Sequence, residues 1–308
     1  MSVFSRRTLL TGGIAAGLSI SLGDVAESRP RGPRMRFVFM TDVHIQPELG
    51  AVDGTALAVR EILKLRPRPQ FVLMGGDTVM DALVAKRERV ELQFRLFNEA
   101  LAPLEMPVHY TVGNHDVFGW GRKDADRSDP EYGKRMFEER VARGSCRRAF
   151  EAGGWKFLLL DSIHHTEPSG YRGQIDDDQL QWIKDELGRT PPEQPVAFCT
   201  HIPLVSLCAQ FQRGSTAGAG DDMIVRNARE VNALFRGRNV KLVLQGHSHT
   251  VERCEYLGID YISGGAICGA WWRGPFLGVF REGFGVVDCD GDAFRWSYVP
   301  YGWKARSA

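Results

Sequence analysis

The chain lacks the cysteine pairs and the one-sided charge that mark several common classes of protein. Its six cysteines form no Cys-x-x-Cys pair, which argues against a zinc ribbon or a thioredoxin-type site. Lys and Arg number 39 and Asp and Glu number 38, without a long run of either sign. Nothing therefore indicates a surface for a nucleic-acid polymer or a polybasic membrane patch.

Phosphate-cradling loops and repeats are also absent from the sequence. The Gly-rich stretches 214–220 and 264–285 do not open a strand-to-helix turn of the Walker type, so they are expected to be loops. No internal repeat or low-complexity segment interrupts the chain. With 308 residues, 43% of them apolar, the chain is long enough to bury a large core in one domain or at most two.

Only the first 26 residues stand apart from this composition. Ser5-Arg6-Arg7-Thr8-Leu9-Leu10 precedes residues 11–23, which are small or apolar and carry no charge. The adjacent arginines resemble a twin-arginine export signal, and the apolar run is too short and too rich in glycine for a membrane span. The alternative is a chance Arg-Arg pair before a buried helix. We expect residues 1–26 to be a signal segment, recognised by the twin-arginine export machinery, and the protein to be periplasmic or secreted.

Strand-like and helical patterns alternate along the first half of the chain. Apolar runs at 35–41, 71–74 and 107–112 predict buried strands, and the spacing of apolar residues predicts helices at 52–65 and 82–101. This order indicates an α/β fold.

The second half continues with mixed elements. A loop with one helix near 132–143 precedes a hairpin at 149–163 that turns at Gly153-Gly154. Asp176 is a candidate cap for a helix that runs through Leu187. Strands at 196–200 and 240–244 flank a helix near 225–235, and short strands follow from 251 to 299. Cys199 and Cys289 lie in strand-like runs and are expected to be buried as small apolar residues.

Five polar clusters directly follow predicted strands. They are Asp42-Val43-His44, Gly76-Asp77, Gly113-Asn114-His115-Asp116, Thr200-His201-Ile202-Pro203 and Gly246-His247-Ser248-His249. Ligands bind at the carboxyl ends of strands in an open α/β sheet, so clusters that are far apart in sequence can converge. Each cluster alone is a weak signal, because Gly-Asp is common in turns and a single histidine is commonly a core residue. All five in this order are hard to explain by chance.

The residue types in these clusters suit a transition metal. Imidazole and carboxylate together favour Zn, Fe or Mn, and no thiolate is needed. Alternate positions of an extended segment point to one side, so Asp42 and His44 can share a metal, and His247 and His249 can both reach the site. The glycines before Asp77, Asn114 and His247 allow sharp turns at the strand ends.

This series of motifs resembles the calcineurin-like metallophosphoesterase superfamily. Gly173-Gln174-Ile175 followed by Gln179-Leu180-Gln181-Trp182-Ile183 is similar to its cyclic-nucleotide phosphodiesterase-like branch, although an amphipathic core helix with a buried Trp182 is the alternative. The resemblance implies two mixed β-sheets packed as a sandwich with helices outside, a four-layer αββα fold, in a metallophosphoesterase domain over residues 35–301.

The resemblance also implies a site with two divalent or trivalent metal ions, Fe, Mn or Zn. The first ion would be bound by Asp42, His44 and His249, the second by Asn114, His201 and His247, and Asp77 would bridge both. A hydroxide shared by the two ions would attack a small phosphoester, above all a phosphodiester. Alternatives are a phosphomonoesterase with the same site, or a phosphate-binding protein without turnover, which the complete ligand set disfavours.

Two residues beside the ligands have implied roles of their own. His115 would protonate the leaving oxygen or stabilise developing charge. Asp116 would orient His115, with capping of a turn as the alternative. Asp81 follows Asp77 one position later than the family spacing and is left out of the site.

Substrate contacts are expected from the loops around the metal site. In the loop after the final motif, Trp271, Trp272 and Arg273 either form a pocket wall or anchor the loop on the core. Loops 117–129 and 203–222 should flank the same cleft. His164 and His165 are expected to be surface residues.

Overall fold

Thirteen strands and six α-helices form the part of the chain that the computed structural model describes, residues 34–305. The predicted signal segment, 1–26, lies outside the described residues. The strands are β1 Arg34–Met40, β2 Val72–Met74, β3 Val108–Tyr110, β4 Arg148–Ala152, β5 Trp155–Leu159, β6 Ile163–His165, β7 Tyr171–Gly173, β8 Val196–Thr200, β9 Val240–Gln245, β10 Val251–Tyr256, β11 Ile259–Gly264, β12 Gly283–Asp290 and β13 Ala293–Pro300. The helices are α1 Ala51–Lys64, α2 Arg87–Leu101, α3 Arg135–Phe137, α4 Asp177–Arg189, α5 Cys208–Arg213 and α6 Ala228–Leu234.

Two large mixed sheets hold most of these strands. The first has the order β13-β12-β1-β2-β3, in which β1, β2 and β3 are parallel and β12 pairs antiparallel with β1. The second has the order β10-β11-β9-β8-β5-β4, with a parallel centre from β11 to β5 and an antiparallel strand at each edge. A short hairpin pairs β6 with β7.

The alternation of side chains along β1 explains the layers. Phe37 and Phe39 point into an apolar layer that also contains Phe157 and Leu244 of the second sheet. Val38 and Met40, on the opposite face, belong to the core that includes helical residues such as Ile62 of α1. Because successive side chains of a strand point to opposite faces, one strand contributes to both layers. The sheets therefore face each other and the helices lie outside, which confirms the predicted four-layer fold.

Helix α2 begins five residues later than the apolar spacing predicts. The main chain at Ala82 and Leu83 is hydrogen-bonded to the loop after β3. Ala82 N donates to His115 O at 2.7 Å, and Leu83 O accepts from Gly121 N at 2.9 Å. The Asp81 carboxylate accepts from Val84 N, so Asp81 holds a turn here. Tertiary hydrogen bonds thus replace the first helical turn.

Other predicted elements are found with changed lengths. The helix expected at 132–143 is a three-residue α3 followed by a π-helical turn, Glu138–Ala142. Asp176 caps α4 as predicted, accepting from Gln179 N at 2.8 Å, but Trp182 is only half-buried, with the Arg147 guanidinium 5.5 Å from its ring centre. Helix α5 lies inside the predicted loop 203–222.

The cysteines and the helices give two further structural facts. All six cysteines are unpaired, and Cys199 on β8 and Cys289 on β12 are buried, as expected. Within residues 34–305, every helix is too short or too polar to cross a bilayer.

Candidate metal centre

The five polar clusters converge at one edge of the sandwich, after β1, β2, β3, β8 and β9. The seven predicted ligands are brought together there, and all but His247 are buried. They arrange into two groups of donor atoms that meet at Asp77.

The first group surrounds the Nε2 atom of His44. This atom lies 3.1 Å from His249 Nε2, 3.5 Å from Asp77 Oδ2 and 3.9 Å from Asp42 Oδ1. His249 Nε2 in turn lies 3.3 Å from Asp42 Oδ1. Four donor atoms from three clusters therefore face one another.

The second group surrounds the Nε2 atom of His201. Its neighbours are Asn114 Oδ1 at 3.1 Å, Asp77 Oδ2 at 3.2 Å and His247 Nδ1 at 3.3 Å. Asp77 Oδ2 thus belongs to both groups, since it also faces His44.

These spacings fit bound metal ions. Ligand atoms about 2.1 Å from a metal are separated from one another by roughly 3.0–3.4 Å in octahedral or tetrahedral geometry. Most of the separations above lie in or near that range. Two nitrogen-and-oxygen groups that share one carboxylate oxygen fit a pair of ions.

Backbone carbonyls orient two of the histidines toward the centre. His201 Nδ1 donates to Gly75 O at 2.8 Å, and His249 Nδ1 donates to Gly269 O at 2.6 Å. A carbonyl only accepts, so each Nδ1 carries a hydrogen and each Nε2 is directed at the donor groups. The buried His44 Nδ1 and His247 Nε2 have no hydrogen-bond partner within residues 34–305.

Cys268 lies beside the first group but behind His249. Its Sγ atom is 3.9 Å from His249 Nδ1, the nitrogen that faces away from His44. Burial raises the pKa of this thiol, which opposes thiolate formation. Cys268, which was not among the predicted site residues, thus contacts the imidazole of His249 from behind rather than completing the donor set.

The main chain at five of the seven ligands is left-handed. Asp42, His44, Asp77, His247 and His249 have φ values of 55°, 45°, 53°, 67° and 57°. Such a conformation costs a residue other than glycine on the order of 1–3 kcal/mol, and it is concentrated at functional sites. The extended geometry expected for Asp42 and His44 and for His247 and His249 is therefore wrong. The paired side chains reach one site through left-handed turns instead.

Two glycines are needed for different reasons. Gly76 has φ +95°, so it supports the sharp turn expected before Asp77. Gly113 has φ −102°, which any residue adopts, but a Cβ there would lie 2.1 Å from Asp77 Oδ1. Close approach of two strand ends, rather than turn geometry, requires glycine before Asn114.

The charges of the centre are strongly coupled. Burial would raise the pKa of Asp77, but His201 and His115 outweigh it and hold that pKa well below its usual value. Burial would likewise lower the pKa of His201, but Asp77 and Asp42 raise it to about 9. Burial, with His201, lowers the pKa of His247 to about 4. Without metal, the carboxylates are thus balanced by protonated imidazole.

His115 lies at the edge of the centre with one ring nitrogen engaged. Nδ1 donates to Met80 O at 2.6 Å, and the backbone N–H donates to Asp77 Oδ1 at 2.8 Å. The ring packs edge-on against His44, with centroids 4.7 Å apart. The contact with Met80 O therefore fixes which ring nitrogen, Nδ1, faces the main chain.

Asp116 does not contact the imidazole of His115, which corrects the predicted orienting role. Its Oδ1 accepts from the backbone and hydroxyl of Thr78 at 2.8 and 2.6 Å, and its Oδ2 accepts from Gly113 N at 2.9 Å. Burial, with nearby Asp77, raises the pKa of Asp116 to about 6. Asp116 fastens two strand ends together. The imidazole of His115 is oriented by Met80 O instead.

Each of the two tryptophans has one of the two roles considered for their loop. Trp272 is buried and donates from Nε1 to His44 O at 3.0 Å, so it anchors the loop. Trp271 is partly exposed, with its ring 4.6 Å from that of His249, and forms a wall beside the first group. Arg273 is exposed.

Contacts that sequence reasoning missed come mostly from neighbouring loops. Thr41, which directly precedes the first motif, donates its hydroxyl hydrogen to Asp42 Oδ2 at 2.5 Å. Tyr171 of β7 packs edge-on against His247 at 6.4 Å, and Cys208 of loop 203–222 lies 4.0 Å from Ser248 O. His164 and His165 lie on β6, partly exposed, and do not join the centre.

Comparison with protein families agrees with this geometry. The calcineurin-like phosphoesterase family matches residues 35–251, a span that contains every donor described above.

Similar proteins include phosphodiesterases and a phosphatase. A 3′,5′-cyclic-nucleotide phosphodiesterase of Nostoc sp. is 24% identical over 74% of this chain and 77% of its own. The 3′,5′-cyclic adenosine monophosphate phosphodiesterase CpdA of Haemophilus influenzae is 25% identical over 77% of both chains. The serine/threonine-protein phosphatase CPPED1 of Danio rerio is 28% identical over 70% of this chain and 65% of its own.

A solved structure shares the fold. A dimetal phosphatase from Danio rerio superposes with a TM-score of 0.60 at 17% identity, covering 88% of this chain and 100% of that one.

Proposed function

The chain belongs to the calcineurin-like phosphoesterase family and is a metal-dependent hydrolase of phosphoesters, and we propose that it hydrolyses a phosphodiester with two metal ions. Asp42, His44 and His249 would hold the first ion, Asn114, His201 and His247 the second, and Asp77 both. Fe, Mn and Zn all suit these donors.

One observation carries the two-ion proposal. Asp77 Oδ2 lies 3.5 Å from His44 Nε2 and 3.2 Å from His201 Nε2, so a single oxygen faces both groups of donors. The other oxygen, Oδ1, accepts from His115 N and holds the carboxylate in that orientation. Bound together, two ions lower the pKa of water and neutralise charge on the phosphoryl oxygens.

His115 supplies the proton in this proposal. Because Met80 O accepts from Nδ1, the protonated ring presents its second N–H at Nε2. That nitrogen would donate to the leaving oxygen, and the fixed Nδ1 contact keeps the ring from rotating away. Trp271 would limit access of water from the side of His249.

The choice of a diester rests on the relatives. Two of them are cyclic-nucleotide phosphodiesterases, although their identity of 24–25% leaves the nucleotide itself open. The second candidate is a phosphomonoesterase with the same site, which the 28% identical phosphatase favours.

A substrate screen tests the choice of ester. Metal-reconstituted protein would be assayed on bis-p-nitrophenyl phosphate, p-nitrophenyl phosphate and a nucleotide panel that includes cyclic nucleotides. We expect higher kcat/KM for diesters, and metal analysis should give two ions per chain that Asp77→Asn reduces. A preference for monoesters would favour the second candidate, and a single ion in the active protein would refute the two-ion proposal.

We also propose that the protein is exported through its twin-arginine segment, Arg6-Arg7. Exchange of both residues for lysine should leave the protein in the cytoplasm, as measured by fractionation. Unchanged delivery would refute the proposal.

A further inference from the structure

A short apolar hairpin stands beside the metal centre on the loop between β11 and β12. We call residues 275–280 the apolar tip. Two backbone hydrogen bonds close it, from Phe276 N to Phe280 O at 2.8 Å and from Phe280 N to Phe276 O at 2.9 Å. A third, from Val279 N to Phe276 O at 3.0 Å, ties its turn. The tip is therefore built to hold a defined shape.

The turn of the apolar tip holds two large apolar side chains in solvent. Leu277 is 50% exposed and Val279 is 71% exposed. Single exposed apolar residues are common, but an ordered turn that presents two of them together indicates a contact surface.

The tip is joined to the metal centre through aromatic rings. Phe276 lies 5.4 Å from His249 and 5.9 Å from Trp271, measured between ring centroids. Anything that covers Leu277 and Val279 is thus held next to the first group of donors.

Two arginines flank the tip, and their charges determine the kind of partner. Arg273 and Arg281 are both exposed, and within residues 34–305 neither guanidinium forms a hydrogen bond or salt bridge, although the charge of Arg281 partly offsets the rise in pKa that burial causes at the neighbouring Glu282. Apolar side chains between two unpaired cations complement a surface that is apolar inside and anionic outside.

A second exposed apolar side chain lies on a helix that contacts the same motif. Phe211 on α5 is 63% exposed, and Cys208 of that helix lies 4.0 Å from Ser248 O, one residue before His249. Exposed apolar side chains therefore occur on two segments that contact this motif.

We propose that the apolar tip docks on an anionic lipid bilayer, with Leu277 and Val279 among the lipids and Arg273 and Arg281 at the headgroups. The metal centre then works at the bilayer surface. This docking is independent of whether the ester is a diester or a monoester.

The chain contains a matched control for the tip. Tyr256 and Leu257 are 56% and 73% exposed at the turn between β10 and β11, and the Leu257-Gly258 pair has φ values of 53° and 77°, close to 52° and 71° at Leu277-Gly278. That turn lies at the far end of β10 from His249 and is flanked by Glu255 and by Asp260, whose carboxylate pairs with Arg253. It offers the same turn geometry without the two free cations.

Co-sedimentation with vesicles tests the proposal. The full, metal-loaded chain would be mixed with vesicles of phosphatidylcholine alone or of phosphatidylcholine with phosphatidylglycerol. We expect binding to the mixed vesicles, weaker binding to the neutral ones, and a loss of at least about fivefold in L277S/V279S. Y256S/L257S, which also removes two exposed apolar side chains, should bind like the parent protein, and because all variants share residues 1–33, any contribution of that segment cancels.

Two further measurements separate the outcomes. Turnover of soluble bis-p-nitrophenyl phosphate should be the same in L277S/V279S as in the parent protein. If the parent protein shows no turnover of this substrate, the proposed activity is contradicted and the docking is not. Equal vesicle binding by the parent and L277S/V279S would overturn the docking. So would a change of oligomeric state in that variant without an effect on vesicle binding, since it would make the tip a contact between copies.

Discussion

At the scale of single residues, the centre contains predicted metal ligands and other groups that hold those ligands in place. His201 and His249 are fixed by carbonyls of Gly75 and Gly269, and Asp116 fastens the ends of two strands. Removing a group that supports a ligand should therefore weaken metal binding, and removing a group that acts on the substrate should lower turnover with metal retained.

His115→Ala should retain metal and lose turnover by roughly 10²–10⁴-fold, because only the side chain that donates the proton is removed. The backbone N–H that fixes Asp77 Oδ1 remains in this variant. Metal content by elemental analysis and kcat on a diester with a poor leaving group would be measured, with His165→Ala as the control outside the centre. Near-normal kcat on that substrate would contradict the role as acid.

Trp272→Phe should weaken metal binding by about tenfold, since partners of ligand residues contribute on that order. The ring remains buried, but the hydrogen bond from Nε1 to His44 O is lost. The matched control is Trp155→Phe, another buried tryptophan, whose Nε1 donates to Gly291 O at 2.7 Å in the turn between β12 and β13. Chelator competition would measure affinity, and equal losses in both variants would show a general packing effect.

At the scale of elements, an ionic cluster fastens α2 to the loop before α3. Arg87 of α2 pairs with Asp129 and Glu131, and Arg140 pairs with Glu131 at 2.6 Å and with Glu91 of α2 at 3.0 Å. This cluster holds a stretch that the sequence predicts only as a polar loop with one helix.

The cluster predicts an acid-dependent loss of stability. A hydrogen bond from Arg140, with further contributions from Arg87, lowers the pKa of Glu131 from 4.5 to about 2. Because the folded value is the lower one, the stabilisation is complete above pH 4.5 and is lost as the pH falls from 4.5 toward 2. Chemical unfolding at several pH values should show a smaller decrease for Glu131→Gln than for the parent. Glu88→Gln, on the exposed side of α2, is the control, and an equal slope in all three proteins would contradict the assignment.

At the scale of the whole molecule, the centre joins the ends of strands from both sheets. β1, β2 and β3 supply four of the seven donors, and the second sheet supplies His201, His247 and His249 after β8 and β9. A metal ion held by these residues would link the two sheets, so metal should stabilise the sandwich as a unit.

Addition of Mn²⁺ or Zn²⁺ at about a thousand times the dissociation constant should raise Tm by roughly 10 °C. In the metal-free protein the pKa of His201 is raised to about 9 by Asp77 and Asp42, despite burial. Metal must displace that proton, so the increase in Tm should grow as the pH rises toward 9 and shrink as it falls. Differential scanning calorimetry would measure this, with Asp77→Asn as the variant expected to lose the increase. An unchanged Tm on metal addition would contradict the linkage.

Much of the architecture could be predicted because it depends on local patterns. Strands β1, β8 and β9 lie within a residue of their apolar runs, and Asp176 begins α4 as expected. The start of α2 and the short α3 could not be predicted in this way. Their backbone groups bond to distant loops, and a helical spacing of apolar residues carries no information about those partners.

The sequence by itself determined that the five polar clusters could meet, because polar residues at the ends of apolar strands lie at one edge of an α/β sandwich, and the family resemblance implied which seven of them would bind metal. Only the tertiary structure decided how they meet. Left-handed backbone at Asp42, His44, Asp77, His247 and His249 aims the donors, and Asp77 Oδ2 comes to face both groups. It also gave the orienting contact of His115 to Met80 O and left Asp116 to join two strand ends. These outcomes depend on contacts between segments far apart in the chain, and neither composition nor periodicity specifies such contacts.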